Sequence, residues 1–323
     1  MNHLKIAVWG LGNHAINKIL PIFSEIKNLE LLGVCSRNVE KVTKIAESYS
    51  CYGWNNPEDM LNNLELDIVY ISTPIGLHYS MASQVLNAGK NVWCEKPLTC
   101  NYKNTKDLVA LSNTNKKILT ESFMHLYHPQ FKRIKKFVDE SKQINSIVCR
   151  FGIPELTSPG FRNDPELGGG ALWDVGSYTI SSLLGLFPEQ QVKVIFAELV
   201  QKKSSQVDTS GRVLLRFSGG VTAYIEWAIG VAYKNEIDLW SSDGSMFVDK
   251  IFSKPKNYQS NFYLRDLNGN ITIEKGDECE QFTEMFNDFI LMFNDKKKVE
   301  KEKKAILRRA ELLNNIVMFA STG

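Results

Sequence analysis

The chain lacks most of the features that would take it out of the ordinary globular classes. No apolar run approaches the length needed to cross a membrane, and the N-terminus opens directly into a strand-like segment without an apolar signal core. Neither sign of charge is in excess. There are 38 Lys and Arg against 36 Asp and Glu, a net +2 at neutral pH, so nothing in the balance points to nucleic acid or a membrane surface. Cysteine is scattered: Cys35, Cys51, Cys94, Cys100, Cys149 and Cys279 contain no CxxC pair. That spacing excludes the usual zinc site and a disulfide framework, and suits reduced thiols in a cytosolic protein. Internal repeats and low-complexity segments are also missing. The charged run 295–304 interleaves Glu with its Lys and reads as a solvated helix face or a linker. A cytoplasmic chain with no metal, no membrane and no nucleic-acid partner is the expectation.

What remains is a chain of 323 residues with 43% hydrophobic content, enough for two domains. The first half alternates strand and helix signals. Leu4–Trp9 is a continuous apolar run, as a strand buried on both faces requires. Gly10-Leu11-Gly12-Asn13-His14-Ala15 follows, with a helical pattern to about Glu25. This is a dinucleotide fingerprint with Ala in its last place. Gly10 permits the tight turn, Gly12 lets the backbone approach a pyrophosphate, and Ala15 allows close helix–strand packing. The helix N-terminus, with Asn13 and His14, presents donors to the phosphates. The second strand, Leu29–Cys35, ends without the acid that binds a ribose 2′-hydroxyl in NAD enzymes; Ser36-Arg37-Asn38 follows instead. A hydroxyl and a guanidinium suit a 2′-phosphate, so NADP is preferred over NAD. The competing reading makes Ser36 a helix cap and Arg37 a solvated side chain.

Further strands are read at 51–54, 67–72, 91–94 and 117–121, with helices at 39–48, after Pro57, at 75–88 and at 102–113. The order predicts a doubly wound parallel sheet, a Rossmann domain over 1–121. Thr73-Pro74 closes the 67–72 strand, and His78 opens the next helix, as a ribose or phosphate contact or as a structural cap. Asn91-Val92-Trp93-Cys94-Glu95-Lys96-Pro97-Leu98 ends a buried strand at a proline, which holds Lys96 at the sheet's carboxyl edge beside Glu95. Ligands of open parallel sheets bind at that edge, which makes Lys96 a candidate proton-transfer or orienting group.

The second half changes character and predicts an α+β domain over 122–323. Phe123, His125 and Tyr127 line a cleft or form an alternating strand. A helix follows from His128 to Glu140, then a strand at 146–152 and an irregular loop at 153–167 carrying Arg162. Gly168-Gly169-Gly170 leads into a helix to Leu186, on which Asp174 and Tyr178, four apart, share a face. Alternating runs from Val192 to Val248 predict a large, mostly antiparallel open sheet, and helices at 279–293 and 305–320 close the chain.

Taken together these residues resemble the glucose-fructose oxidoreductase/inositol dehydrogenase (Gfo/Idh/MocA) family. The matching marks are the 10–15 fingerprint, Thr73-Pro74 with His78, and 88–98. To these add Tyr127-His128-Pro129-Gln130, Phe161-Arg162, 168–178 and the C-terminal Ala320-Ser321-Thr322-Gly323. The resemblance implies an N-terminal Rossmann domain, a C-terminal α/β domain and a nicotinamide cofactor lying between them. It implies hydride transfer with a secondary alcohol or ketone of a sugar, cyclitol or nucleotide-linked sugar, in a homodimer or homotetramer formed through the C-terminal sheet. By resemblance, Lys96 sits beside the nicotinamide and Glu95, Thr73, Pro74 and His78 border it. Many members carry His at this place; this chain has Tyr178 there, as in the glucose-fructose oxidoreductase and dihydrodiol dehydrogenase branches. A nearby ammonium favours an ionised tyrosine, so Tyr178 becomes general acid/base, Lys96 its electrostatic partner and Asp174 a hydrogen-bond acceptor for the substrate. Arg162 and Tyr127 are the remaining substrate contacts. Ile75 departs from the Asn common after Thr-Pro, and His125-Leu126 stands where related branches carry Arg before Tyr. A dihydrodiol dehydrogenase acting on a cyclic diol and a non-catalytic NAD(P)-sensing regulator are the two alternatives.

Overall fold

The computed structural model describes residues 3–321; Thr322 and Gly323 of the C-terminal motif lie outside them. The chain divides into two compact units, Met1–Ser122 with Met285–Leu307, and Phe123–Glu284 with Arg308–Gly323. Among the described residues no helix is long and apolar enough to cross a membrane.

The first unit is a six-stranded parallel sheet. Its strands are β1 (Leu4–Trp9), β2 (Leu29–Cys35), β3 (Tyr52–Trp54), β4 (Ile68–Ile71), β5 (Asn91–Glu95) and β6 (Leu119–Ser122). The spatial order is β3-β2-β1-β4-β5-β6, the doubly wound arrangement read from the strand–helix alternation. β4 is buried at all four positions, as expected of a strand covered by helices on both faces. Four helices connect the strands: α1 (Val39–Tyr49), α2 (Pro57–Leu61), α3 (Ile75–Asn87) and α4 (Tyr102–Thr114). Side chains of Asn38, Asn56 and Asn101 accept backbone N–H groups and cap α1, α2 and α4.

The helix after the fingerprint departs from expectation. It opens as a wide π turn over Ala15–Ile19 and tightens to a 3₁₀ helix over Leu20–Glu25. Pro21 has no N–H to donate and its ring crowds the preceding turn, so regular α pairing cannot run through it.

The second unit holds an eight-stranded sheet. Its strands are β7 (Ile144–Ile153), β8 (Val192–Val200), β9 (Ser210–Phe217), β10 (Thr222–Ile229), β11 (Lys234–Ser241), β12 (Ser245–Asp249), β13 (Asn261–Arg265) and β14 (Ile271–Lys275). The order is β14-β13-β12-β11-β7-β10-β9-β8. Every neighbouring pair is antiparallel except β7 with β10. One face packs on α5 (Pro129–Glu140) and α6 (Ser177–Leu186) through a core that includes Phe151, Ile180, Leu183, Leu215, Trp227 and Ile237. Each such fully buried side chain contributes roughly 1.5–3 kcal/mol. The other face alternates into a polar ladder: Arg150 pairs with Glu226 at 2.8 Å and with Glu236 at 3.3 Å.

Two expectations change here. Residues 124–127 form a 3₁₀ helix rather than an alternating strand. The helix start Leu172–Gly176 is a π turn, with the Ser177 N–H bonded back to the Leu172 carbonyl. Asp174 therefore lies inside a widened turn and Tyr178 beyond it, and the simple four-residue spacing of one helix face does not apply. Gly176 accounts for the local packing, since a Cβ there would stand 2.9 Å from the Trp227 ring.

The chain then returns to the first unit. α7 (Gln281–Leu291) stacks Phe286 on Trp93 and Phe23, with ring centroids 5.2 and 5.8 Å apart. α8 (Lys296–Ser321) begins inside the run read as a solvated face or linker. Two charged residues of that run are buried instead, Glu302 at 8% and Lys303 at 7% exposure. The Glu302 carboxylate accepts the Glu121 N–H, and Lys303 donates to the Asn113 side chain.

Candidate active site

In the first unit the candidate residues gather at the carboxyl ends of β1, β2, β4 and β5. The turn after β1 is set by backbone pairing: Gly10 N–H donates to Cys35 O and Ser72 N–H to Trp9 O, both at 2.9 Å. Gly10 has φ +109°, and a Cβ there would sit 2.3 Å from the Ser72 carbonyl oxygen, so only glycine fits. Gly12 differs. A Cβ there would meet nothing within 4 Å, which leaves open space above a helix N-terminus, the cradle a pyrophosphate needs. Asn13 and His14 are exposed beside it.

At the end of β2, Ser36 is half-buried and Arg37 exposed. The N-cap of α1 is Asn38, so Ser36 is not the cap; its hydroxyl accepts the Asn38 N–H at 3.4 Å. Sequence reasoning missed Lys41, whose ammonium reaches the Leu11 carbonyl at 3.3 Å. A signal was present. A lysine in the first turn of a helix opposes the macrodipole, and its placement makes sense if an anion is held there.

Glu95 is the electrostatic centre of this half. It accepts from Tyr70 OH, from His14 Nε2 at 2.9 Å and from the Lys96 backbone N–H at 3.3 Å. Burial alone would raise its pKa, but the charge and hydrogen bond of His14, the Tyr70 hydroxyl and the Lys96 charge outweigh it and hold the carboxyl at about 2. Glu95 is thus a fixed anion between the fingerprint helix and Lys96. The Lys96–Pro97 bond is cis.

Thr73 and Pro74 lie at the β4 edge, half-buried. His78 is corrected as a direct ligand contact. It is 0% exposed, with Nδ1 3.0 Å from Pro97 O and Nε2 3.0 Å from Thr73 O. Burial lowers its pKa, and its role is to tie the Thr73 edge to the turn after Lys96.

In the second unit the glycine segment is clasped by its neighbours. Gly169 N–H donates to Asp164 O at 2.8 Å and Gly170 N–H to Arg162 O at 2.9 Å. Arg162 Nε donates to Asp174 Oδ2 at 2.6 Å, so the two residues read separately as substrate contacts form an ion pair. The Tyr178 ring is surrounded by Phe123, His125, Phe151 and Phe252, with centroids 5.3–5.9 Å away. Its hydroxyl lies 3.7 Å from Met124 Sδ. Tyr127 is half-buried at the end of its 3₁₀ turn. Asp208 was not foreseen. Its carboxylate takes the Leu172 N–H at 2.8 Å from 36 residues away.

Comparison with known proteins agrees with this arrangement. Residues 4–123 match an oxidoreductase family with an NAD-binding Rossmann fold, GFO/IDH/MocA, and residues 131–247 match the GFO/IDH/MocA C-terminal domain. A dTDP-3,4-didehydro-2,6-dideoxy-alpha-D-glucose 3-reductase from Saccharopolyspora spinosa is 30% identical over 80% of this chain and 78% of its own. A scyllo-inositol 2-dehydrogenase (NADP(+)) from Bacillus subtilis is 27% identical over 77% of this chain and 76% of its own. The crystal structure of a 3-ketoreductase from Actinomadura kijaniata with NADP and TDP-benzene superposes with a TM-score of 0.92, at 26% identity and 98% coverage of each chain. That enzyme has also been solved with a lysine replaced by alanine and with a tyrosine replaced by phenylalanine.

Proposed function

The chain belongs to the GFO/IDH/MocA family of NAD(P)-dependent oxidoreductases, and from that premise we propose that it uses NADPH to reduce the ketone of a nucleotide-linked sugar. The observation that carries the cofactor preference is the end of β2. It has no acid, and Ser36, the exposed Arg37 and the Lys41 ammonium offer a hydroxyl and two cations suited to a 2′-phosphate. The sugar-nucleotide class is supported by the dTDP-sugar 3-reductase and the TDP-bound 3-ketoreductase among its relatives.

When bound, the nicotinamide supplies the hydride. The protein's own residues do the rest. The Gly10–Ala15 turn and the following helix N-terminus hold the pyrophosphate. Lys96 orients the carbonyl and brings positive charge to its oxygen as negative charge develops there. Tyr178 gives its hydroxyl proton to that oxygen. Arg162 holds Asp174 in place, and Asp174 accepts a hydrogen bond from a sugar hydroxyl; Tyr127 borders the sugar. A homodimer or homotetramer through the polar face of the second sheet fits the exposed Trp240, 62% accessible on β11.

Nicotinamide fluorescence titration with NADPH and NADH tests the cofactor, and NADPH oxidation with a dTDP-linked 3-keto-sugar tests the reaction. Tight NADPH, weak NADH and turnover of the keto-sugar are expected. Equal affinity for both nucleotides would remove the 2′-phosphate assignment. Turnover of scyllo-inositol with NADP⁺ and not of the keto-sugar would move the enzyme to the cyclitol branch.

A further inference from the structure

The helix that carries Asp174 and Tyr178 has no capping side chain of its own. Ala171, at its start, makes no side-chain cap bond, and three glycines precede it. The exposed N–H groups of that first turn are met from elsewhere. Asp208 lies in the short connection between β8 and β9. Its backbone carbonyl takes the Ala171 N–H at 2.9 Å, and its carboxylate takes the Leu172 N–H at 2.8 Å. Gly170 is shaped to admit it, since φ there is +119° and a Cβ would fall 2.3 Å from Asp208 Oδ1.

The clasp is double. From one side Asp208 holds residues 171 and 172. From the other, the carbonyls of Arg162 and Asp164 hold the N–H groups of Gly170 and Gly169. Arg162 then reaches Asp174 with its side chain. The widened turn Leu172–Gly176 is pinned at its start by Asp208 and at its end by the Trp227 ring against Gly176. A π turn has poorer backbone pairing than an α turn, so its shape depends on such outside contacts.

We infer that Asp208 is a positioning residue, whose carboxylate holds the start of this turn and thereby sets Asp174 and Tyr178 for the reaction. The roles of Asp174 and Tyr178 rest on the function proposed above. The placement of the turn by Asp208 does not, and the two are separable by experiment.

The chemistry of the clasp sets its pH dependence. Burial pushes the Asp208 carboxyl up to about 6, against the opposing effects of the Leu172 N–H and the Trp227 indole. The charged groups on the elements packed here are Arg162, Asp164, Glu166 and Asp174. Arg162 is engaged by Asp174, and Asp164 accepts the Glu166 N–H. A folded-state value above the unfolded one means that ionised Asp208 does not favour folding. Its stability contribution is full below the unfolded value and is lost as pH rises through about 6. An ordinary cap would favour folding in its ionised form, so replacing Asp208 separates a positioning role from a purely structural one.

The test is amide hydrogen exchange of residues 168–178 by mass spectrometry, corrected for intrinsic rates, on wild type, Asp208→Asn and Asp208→Ala, between pH 5 and 8. No substrate is needed. Wild type is expected to lose protection in this segment as pH rises through about 6. Asp208→Asn keeps an acceptor without the charge and is expected to show a flat profile with unchanged or higher Tm at pH 7.5. Asp208→Ala is expected to lose protection about tenfold at every pH, as removal of a helix cap does. In turnover, Asp208→Ala lowers kcat with NADPH affinity unchanged, and Asp208→Asn removes the fall in kcat as pH rises through about 6. Wild-type exchange independent of pH, or a pH-dependent profile that survives in Asp208→Asn, overturns the inference. Should Asp208→Ala fail to fold, the Asn profile decides alone. Absence of any turnover bears on the function proposal and leaves the exchange result standing.

Discussion

The two units hold their functional residues by different means. In the first, the site is built from backbone: strand ends of a buried parallel sheet, paired N–H and carbonyl groups, and a glycine pressed against Ser72. In the second, the candidate residues sit on a loop and a widened turn whose backbone clasp is completed by side chains, with Arg162 on Asp174 and Asp208 on Leu172. A backbone-built site has little room to adjust. A side-chain-built site can relax when one contact is removed, and loses function before it loses the fold. Substitutions that treat the two alike test this difference.

The largest effect belongs to Gly10→Ala. The added methyl meets the Ser72 carbonyl oxygen at 2.3 Å and its carbon at 2.8 Å, and neither backbone atom can swing away. A loss of about 3 kcal/mol in stability and of measurable NADPH binding is expected from overpacking at a left-handed position, read by urea unfolding and fluorescence titration. Gly12→Ala is the control. It adds the same methyl into open space, so it should fold as wild type and weaken NADPH alone. If both variants fold and bind alike, the backbone account of this half is wrong.

Gly170→Ala makes the same clash distance, 2.3 Å, against the far end of the Asp208 side chain. Here the carboxylate can turn aside. About 1–2 kcal/mol of stability is expected to go, with NADPH affinity kept and kcat down about tenfold through the loosened turn. A stability loss equal to that of Gly10→Ala would erase the contrast between the units.

The contrast also decides what was legible in the sequence. Most strands of the first sheet could be read because they are short apolar runs closed by Gly, Pro or Ser, and strand ends in such a sheet converge on one edge; β3, largely exposed, gave only a weak signal. The positions of Gly10, Gly12 and Lys96 at that edge followed from the fingerprint and the strand ends together. His78 stayed open between a ligand contact and a structural role because nothing in its own neighbourhood reveals that Pro97 O and Thr73 O take both ring nitrogens. β13 was missed, and β14 with it; all five β14 residues are exposed, so no burial imposes alternation. The Arg162–Asp174 pair and the Asp208 clasp join segments 12 and 36 residues apart, and no spacing rule connects them.

A smaller effect is expected at Lys41, which belongs to the backbone-built half but acts through its side chain. Lys41→Ala should weaken NADPH about tenfold, the worth of one charge-assisted phosphate contact, and leave NADH unchanged in parallel fluorescence titrations. Equal weakening of both nucleotides would mean that its bond to the Leu11 carbonyl shapes the phosphate loop instead.

The smallest effect sharpens the comparison through pH. Glu95 in the first unit is held at about 2, below its unfolded value of 4.5. Its stability contribution is present above 4.5 and is lost as pH falls toward 2. In the second unit Lys254 is pushed down to about 7 by burial, with Cys279 and Asp249 opposing. Below 7 it is charged in both states, and its burial destabilises the fold. Between 7 and the unfolded value of 10.5 the folded chain has released the proton while the unfolded chain keeps it, so this penalty fades as pH rises. Lys254→Met should therefore raise Tm by about 2–4 °C at pH 6, and the gain over wild type should shrink by pH 9.5. A gain that is constant with pH would mean that Lys254 acts through packing of its stem and not through its buried charge.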